Sequence, residues 1–153
     1  MVVPKTYKVV LNNGEKSASS DFSILMDPRV EESGVSLADL QAQEQLALAV
    51  RDLMSEARRM ANDISNRKKE LAEKKSNKKT QSETAALEFI ESQLVTSQGR
   101  YQTPMIIDQI RYLSSMIDRA DQMPGKDAYE RYDELKTRLE ALKPDWEKYL
   151  SKR

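Results

Sequence analysis

The chain has 153 residues, with 25 Lys and Arg against 25 Asp and Glu, and it has neither His nor Cys. The even charge balance leaves no net field to draw it onto nucleic acid or anionic lipid. The missing His and Cys remove thiol catalysis, disulfides, imidazole acid–base chemistry and most zinc sites.

At 39% hydrophobic and 33% charged, with only 4 Gly and 5 Pro, the composition suits amphipathic helices better than disorder or an all-β chain of many tight turns. No apolar run approaches the ~20 residues that a membrane span needs. Residues 1–29 differ from the rest. Tyr7, Val9 and Leu11 alternate with Lys8 and Val10, the period-2 signature of a strand. Asn12, Asn13 and Gly14 follow, and Asn-Gly is a strong hairpin signal because both central residues of a type I′ turn take positive φ. Phe22, Ile24 and Met26 mark a second strand, which Asp27-Pro28 stops because Pro cannot donate to a ladder. A lone hairpin is marginal in water. Its apolar face therefore needs a cover, either from the rest of the chain or from strands outside it. The second choice makes 1–29 the last strands of a truncated sandwich.

From Ser36 the pattern is helical. Ser36 and Asp39 form a capping-box candidate. Leu46, Val50, Leu53, Ala57, Met60, Ile64, Arg67 and Leu71 then step by alternating fours and threes, a heptad-like stripe in which Arg67 is the one polar member. The first predicted helix spans about 37–75, or about 58 Å at ~1.5 Å per residue. Thr80 with Glu83 offers the cap of a second helix over 81–122, which carries Leu87, Ile90 and Leu94. Gly99 and Pro104 predict a break near 99–103, with Thr103 as N-cap and Pro104 as the first helical residue. Ile106, Ile110, Leu113 and Ile117 continue the stripe until Pro124-Gly125. A third helix over 127–150, capped by Asp127, carries Tyr132, Leu135, Leu139, Leu142, Trp146 and Tyr149, with Pro144 inside it. The expected fold is mainly α: an antiparallel three-helix bundle over 36–151, preceded by a short N-terminal β-hairpin. The unequal helix lengths leave Arg67–Leu87 as a protruding helix 1–helix 2 hairpin tip.

Candidate chemistry is sparse. Arg67, Lys68, Lys69, Lys74, Lys75, Lys78 and Lys79 crowd the tip against Glu70 and Glu73. Lys74, Lys75, Lys78 and Lys79 are the residues that would grip phosphates or an anionic surface. The plainer reading is a tip kept soluble by charge, with no aromatic nearby to stack on bases. Tyr129, Tyr132, Trp146 and Tyr149 would make a sugar platform, but they fall at the third helix's own core spacing. Asp118, Asp121, Asp127, Glu130, Asp133 and Glu134 fall on polar faces and read as dipole and i,i+4 partners, not as the facing carboxylates of a glycosidase. Met54, Met60, Met105, Met116 and Met123 lie on or beside the apolar stripes and read as core filling. Phosphate-loop, dinucleotide and nucleophile-elbow motifs are absent. The reading therefore names no catalytic residue, no metal ligand and no cofactor.

The runs KTYKVVLNNGEK, FSILMDPR, VSLADLQAQ, YQTPMIIDQIRYL and ADQMPGKDAYERYDELKTRL resemble the C-terminal region of bacterial secreted sortilin-like proteins. Those are β-propellers with BNR-like repeats, often labelled glycosyl hydrolases. The resemblance covers nearly the whole chain. It implies a propeller followed by an immunoglobulin-like β segment, whose last strands end at Asp27-Pro28-Arg29, and then a closing helical bundle. Thr103-Pro104 and the run AYERYDEL at 128–135 carry the bundle part. Lys143-Pro144 and the Lys-rich tip depart from the pattern. Any catalysis would reside in the propeller, so no catalytic residue carries over. The resemblance implies a periplasmic, cell-surface or secreted location. It also implies a non-catalytic structural or interaction module, whose partner is the upstream sandwich or propeller of the parent chain, or another protein. Two alternatives stand beside it: a carbohydrate-binding accessory using the third helix's aromatics, and an electrostatic binder of nucleic acid or anionic lipid through the tip.

Overall fold

A computed structural model describes residues 2–150. The expected bundle boundary at 151 lies outside the described residues. The protein is mainly helical, and the described residues form two antiparallel strands and five helices: β1 (Lys5–Asn13), β2 (Lys16–Ile24), α1 (Pro28–Glu32), α2 (Leu37–Ala72), α3 (Lys78–Leu94), α4 (Ile106–Ile117) and α5 (Lys126–Leu150).

The hairpin turns one residue later than Asn13-Gly14 suggests. Asn13 pairs with Lys16 and Tyr7 with Phe22, so Gly14 and Glu15 are the central residues. Gly14 takes φ +60°, and it is the first of the two, the pattern of a type II′ turn and not I′. The Tyr7 and Phe22 rings stack across the strands at 5.9 Å. The Tyr7 hydroxyl donates to the Val3 carbonyl at 2.7 Å, and Val3 is buried.

Asp27-Pro28-Arg29 ends the strands and starts α1. The Asp27 carboxylate accepts from the Arg29 amide at 2.9 Å and holds the Arg29 guanidinium at 2.6 Å, while Pro28 sits in the first turn, where its missing N–H removes nothing. Ser36 caps α2 in a full capping box with Asp39.

The apolar stripe of α2 is buried from Leu46 through Leu71. It joins Leu87, Ile90 and Leu94 of α3, Ile106, Ile110, Leu113 and Ile117 of α4, and Leu135 and Leu139 of α5 in one continuous core. Burying each such side chain is worth about 1.5–3 kcal/mol. α2 packs against α3, α4 and α5, and α5 also touches α3 and α4. A Lys143–Glu56 ion pair of 2.7 Å ties α5 to α2.

Helix boundaries correct several sequence expectations. α2 ends at Ala72, not near 75. α3 starts at Lys78, because Asn77 is its cap: the Asn77 side chain accepts from the Lys79 and Thr80 amides, and the Thr80 hydroxyl accepts from the Asn77 amide. Thr80 is thus the inner member of that box and not a cap for Glu83. The break spans Val95 to Met105, wider than 99–103, and α4 ends at Ile117, short of 122. Met105, not Thr103, precedes α4, and its amide donates to the Thr96 hydroxyl at 2.9 Å. α5 begins at Lys126 and so includes Asp127, and it continues through Pro144.

Candidate functional site

Three places were marked by the sequence, and the structure separates them. At the hairpin, Val9, Leu11 and Phe22 share one face of the two-stranded sheet with Tyr7, by the register and the alternation of side chains. Val9 is 53% exposed, Leu11 70% and Phe22 49%. No helix packs against either strand among the described residues. Only the hairpin base meets the helices, around a shallow groove lined by Pro4, Ile24, Met26, Val30, Leu40 and Asp121. Exposed large apolar side chains on an uncovered sheet face are the unusual kind of surface, since single scattered ones need no explanation.

The basic tip is smaller than its sequence suggests. Lys74, Lys75, Lys78 and Lys79 are exposed; the first two lie between α2 and α3, and the last two open α3. Arg67 leaves the cluster. It is buried, and its guanidinium contacts Glu83 at 2.7 Å and Glu70 at 2.9 Å. Hydrogen bonds to these two carboxylates hold its pKa above the usual arginine value. Lys68 is also drawn away, by Glu91 of α3. An open groove of about 480 Å³ runs beside the tip between Leu71 and Ala72 of α2 and Thr84 and Ala85 of α3.

The α5 aromatics lie along the core. Tyr129, Tyr132, Trp146 and Tyr149 are half-buried and pack against the buried cluster. The Trp146 indole N–H is enclosed without an acceptor. Each of the four rings thus has much of its surface turned to the core and not to solvent. Asp118, Asp121, Asp127, Glu130, Asp133 and Glu134 are all exposed. Glu130 pairs with Lys126 at 3.0 Å, and Glu134 with Arg131 and Arg138. Among the described residues no three acidic side chains converge as metal ligands would.

Three features escaped the sequence reading. Gln43 is buried, and it donates to the Ile117 carbonyl at 2.5 Å and the Ala120 carbonyl at 2.7 Å, while its side-chain oxygen accepts from the Gln122 amide at 3.1 Å. It thereby closes the end of α4, where carbonyls lack helical partners. Its place three residues before Leu46, in step with the α2 stripe, was the available signal. The Arg67–Glu83 pair is the second, and an opposite charge at a core position on each of two successive helices was its signal. Tyr101 is the third. It is wholly exposed with a left-handed φ of +60° in the segment between α3 and α4, and no periodicity reports on such a residue.

No protein-family model matches the chain, and neither a curated protein nor a solved structure matches it.

Proposed function

We propose that this chain is a non-catalytic structural and interaction module from the C-terminal region of a larger secreted protein of the sortilin-like, BNR-repeat β-propeller kind. In this reading α2, then α3 with α4, then α5 make an antiparallel three-helix bundle, with the second helix interrupted at 95–105. Arg67 beside Glu83, Gln43 beside Ile117 and Lys143 beside Glu56 support that order of directions. The hairpin is the end of a β segment whose other strands come from upstream.

The observation that carries the reading is the state of the hairpin. Two nine-residue strands stand without a covering layer, and their apolar face presents Val9, Leu11 and Phe22 to water. A two-stranded sheet of this kind is marginal alone. The neighbouring helices satisfy their own core and leave the hairpin out of it. A β layer supplied by a partner removes that cost, and the helical part then anchors the end of that layer.

The test is the coding sequence ahead of Met1 in the natural gene. An open frame continuing into β-rich sequence and propeller-type repeats is the expected result. A stop codon with its own initiation signals immediately ahead of Met1 would sink the reading.

A further inference from the structure

Beyond the 2.5 Å ion pair of Lys68 with Glu91, α2 and α3 run on to the tip with the open groove of about 480 Å³ between them. Leu71 and Ala72 of α2 and Thr84 of α3 line it. Leu71 belongs to the core cluster, while Ala72 is exposed and Thr84 half-buried. Neither Ala72 nor Thr84 is long enough to fill the space beside Leu71. On α3 the lining runs from Thr80 to Glu88, about 12 Å at ~1.5 Å per residue.

Charge is uneven along this groove. At the inner end Lys68 is held by Glu91, and Glu88 lines the wall, so no positive excess remains there. At the tip end Lys74 lines the groove, and Lys75, Lys78 and Lys79 follow it around the turn, all exposed. None of these four joins an ion pair among the described residues. Glu73 is the lone carboxylate of the run EKKSNKK at 73–79. The chain as a whole is neutral, so the excess is local to the tip.

We propose that this groove docks an acidic amphipathic helix of a partner protein. Such a helix lays apolar side chains at i, i+3, i+4 and i+7 against Leu71, Ala72 and Thr84, and the groove's length of about two turns matches that spacing. Its carboxylates meet the lysines at the tip end. The site lies on the helical part, so it goes beyond the reading of the hairpin and does not depend on it. Other occupants fit less well. A bilayer is flat and does not follow a recess between two helices, and EKKSNKK offers no apolar residue to insert. Nucleic acid would take up the charge, but no aromatic ring lines the groove to stack on bases. A second copy docked tip to tip sets the same lysines against each other. The apolar stripes of α2, α3, α4 and α5 are already in the core, so none of these helices is free to serve as the guest.

Fluorescence anisotropy on the 153-residue chain tests this with a labelled peptide of about 18 residues, long enough to form helix, with Leu at helical spacing and Glu and Ala elsewhere. A scrambled peptide of the same composition, a thymidine oligonucleotide and phosphatidylserine vesicles are the comparisons. The patterned peptide should bind at least ~10-fold tighter than its scramble. Replacing Lys74, Lys75, Lys78 and Lys79 by Gln should weaken it at least ~10-fold. Ala72→Gln with Thr84→Gln fills the groove and keeps every lysine, and it should weaken binding as much. Circular dichroism identifies any variant that misfolds, and peptide-induced amide shifts at Ala72 and Thr84 locate the site in the unsubstituted chain. Equal binding of the scramble, or shifts confined to the lysines, would reduce the site to unpatterned charge and overturn the proposal. Tighter binding of the oligonucleotide or the vesicles would give the tip to nucleic acid or to a membrane and overturn it. A dimer mass abolished by the two groove substitutions would give the groove to a second copy and overturn it. So would no binding of the patterned peptide up to about 1 mM. Each of these failures leaves the module reading standing, because that reading rests on the hairpin.

Discussion

The buried Arg67–Glu83 pair makes the sharpest quantitative prediction. Both side chains are less than a tenth exposed, and they join α2 to α3 near the tip. Glu83→Ala removes the carboxylate and leaves the guanidinium enclosed. Breaking a buried pair by deleting one partner costs about 3–5 kcal/mol. Here Glu70 stays at 2.9 Å, and its side chain is 41% exposed, so the loss falls at the lower end, about 3 kcal/mol. For a chain of this size that is a fall in Tm of about 6–12 °C, or about 1.5 M in the urea midpoint at an m value of about 2 kcal/mol/M. The control is Arg67→Met with Glu83→Leu. It replaces both charges with apolar volume and should be neutral or stabilising by about 1–4 kcal/mol. Urea unfolding followed by circular dichroism at 222 nm measures both. A loss below about 1 kcal/mol for Glu83→Ala, or a double variant as unstable as the single one, would refute the claim that this pair is buried and matters chiefly when half of it is missing.

Other outcomes follow from the same packing. Gln43→Leu keeps an apolar filling but strips the Ile117 and Ala120 carbonyls and the Gln122 amide of their partner; it should cost about 2–3 kcal/mol by denaturant unfolding, and a neutral result would show that water replaces the side chain. At low pH, the Arg29 hydrogen bonds hold the Asp27 carboxyl down at about 2, and the Ser36 amide and hydroxyl hold Asp39 below the ordinary 3.8. Both folded-state values lie below the unfolded ones, so their contribution is complete above about pH 4 and is lost as pH falls toward 2. Amide exchange at Arg29 and Asp39, corrected for intrinsic rates, should show α1 and the start of α2 fraying over that window, and uniform protection down to pH 2 would contradict it. Replacing Lys74, Lys75, Lys78 and Lys79 by Gln should leave stability within about 0.5 kcal/mol, because these four side chains are exposed; a larger thermal shift in the quadruple variant would show that the tip does more than stay solvated.

The line between what was legible and what was not follows the range of the forces involved. Periodicity placed the α2 stripe residue by residue, Arg67 included, because a long helix repeats one geometry and each turn reports independently on the buried side. Ser36-Asp39 and Asp27-Pro28 were legible for a similar reason: a cap or a proline acts within three or four residues. The start of α3 was not, because Asn77–Thr80 and Thr80–Glu83 are competing boxes of equal local merit. Glu83 settles the choice by turning to Arg67 across the helix pair, which leaves Asn77 as the cap. The hairpin turn moved by one residue for a comparable reason, since the Tyr7–Phe22 pairing and not the Asn-Gly dipeptide sets the register.

The four α5 aromatics show the same division at the level of function. Their helical spacing was plain in the sequence, but the same spacing serves a core seam or a ligand stripe, and the sheltered indole of Trp146 against the shared cluster is a property of separate helices packing together. The amino-acid order by itself determined that the chain is mainly helical with an N-terminal hairpin, which residues line each apolar stripe, and which chemistries are missing for want of His and Cys. Only the tertiary structure decided that Glu83 reaches Arg67 and that Gln43 is an interior group, and that the helices close over their own core and leave the apolar face of the hairpin uncovered. Burial depends on which distant segments arrive at a residue, and no local pattern records that.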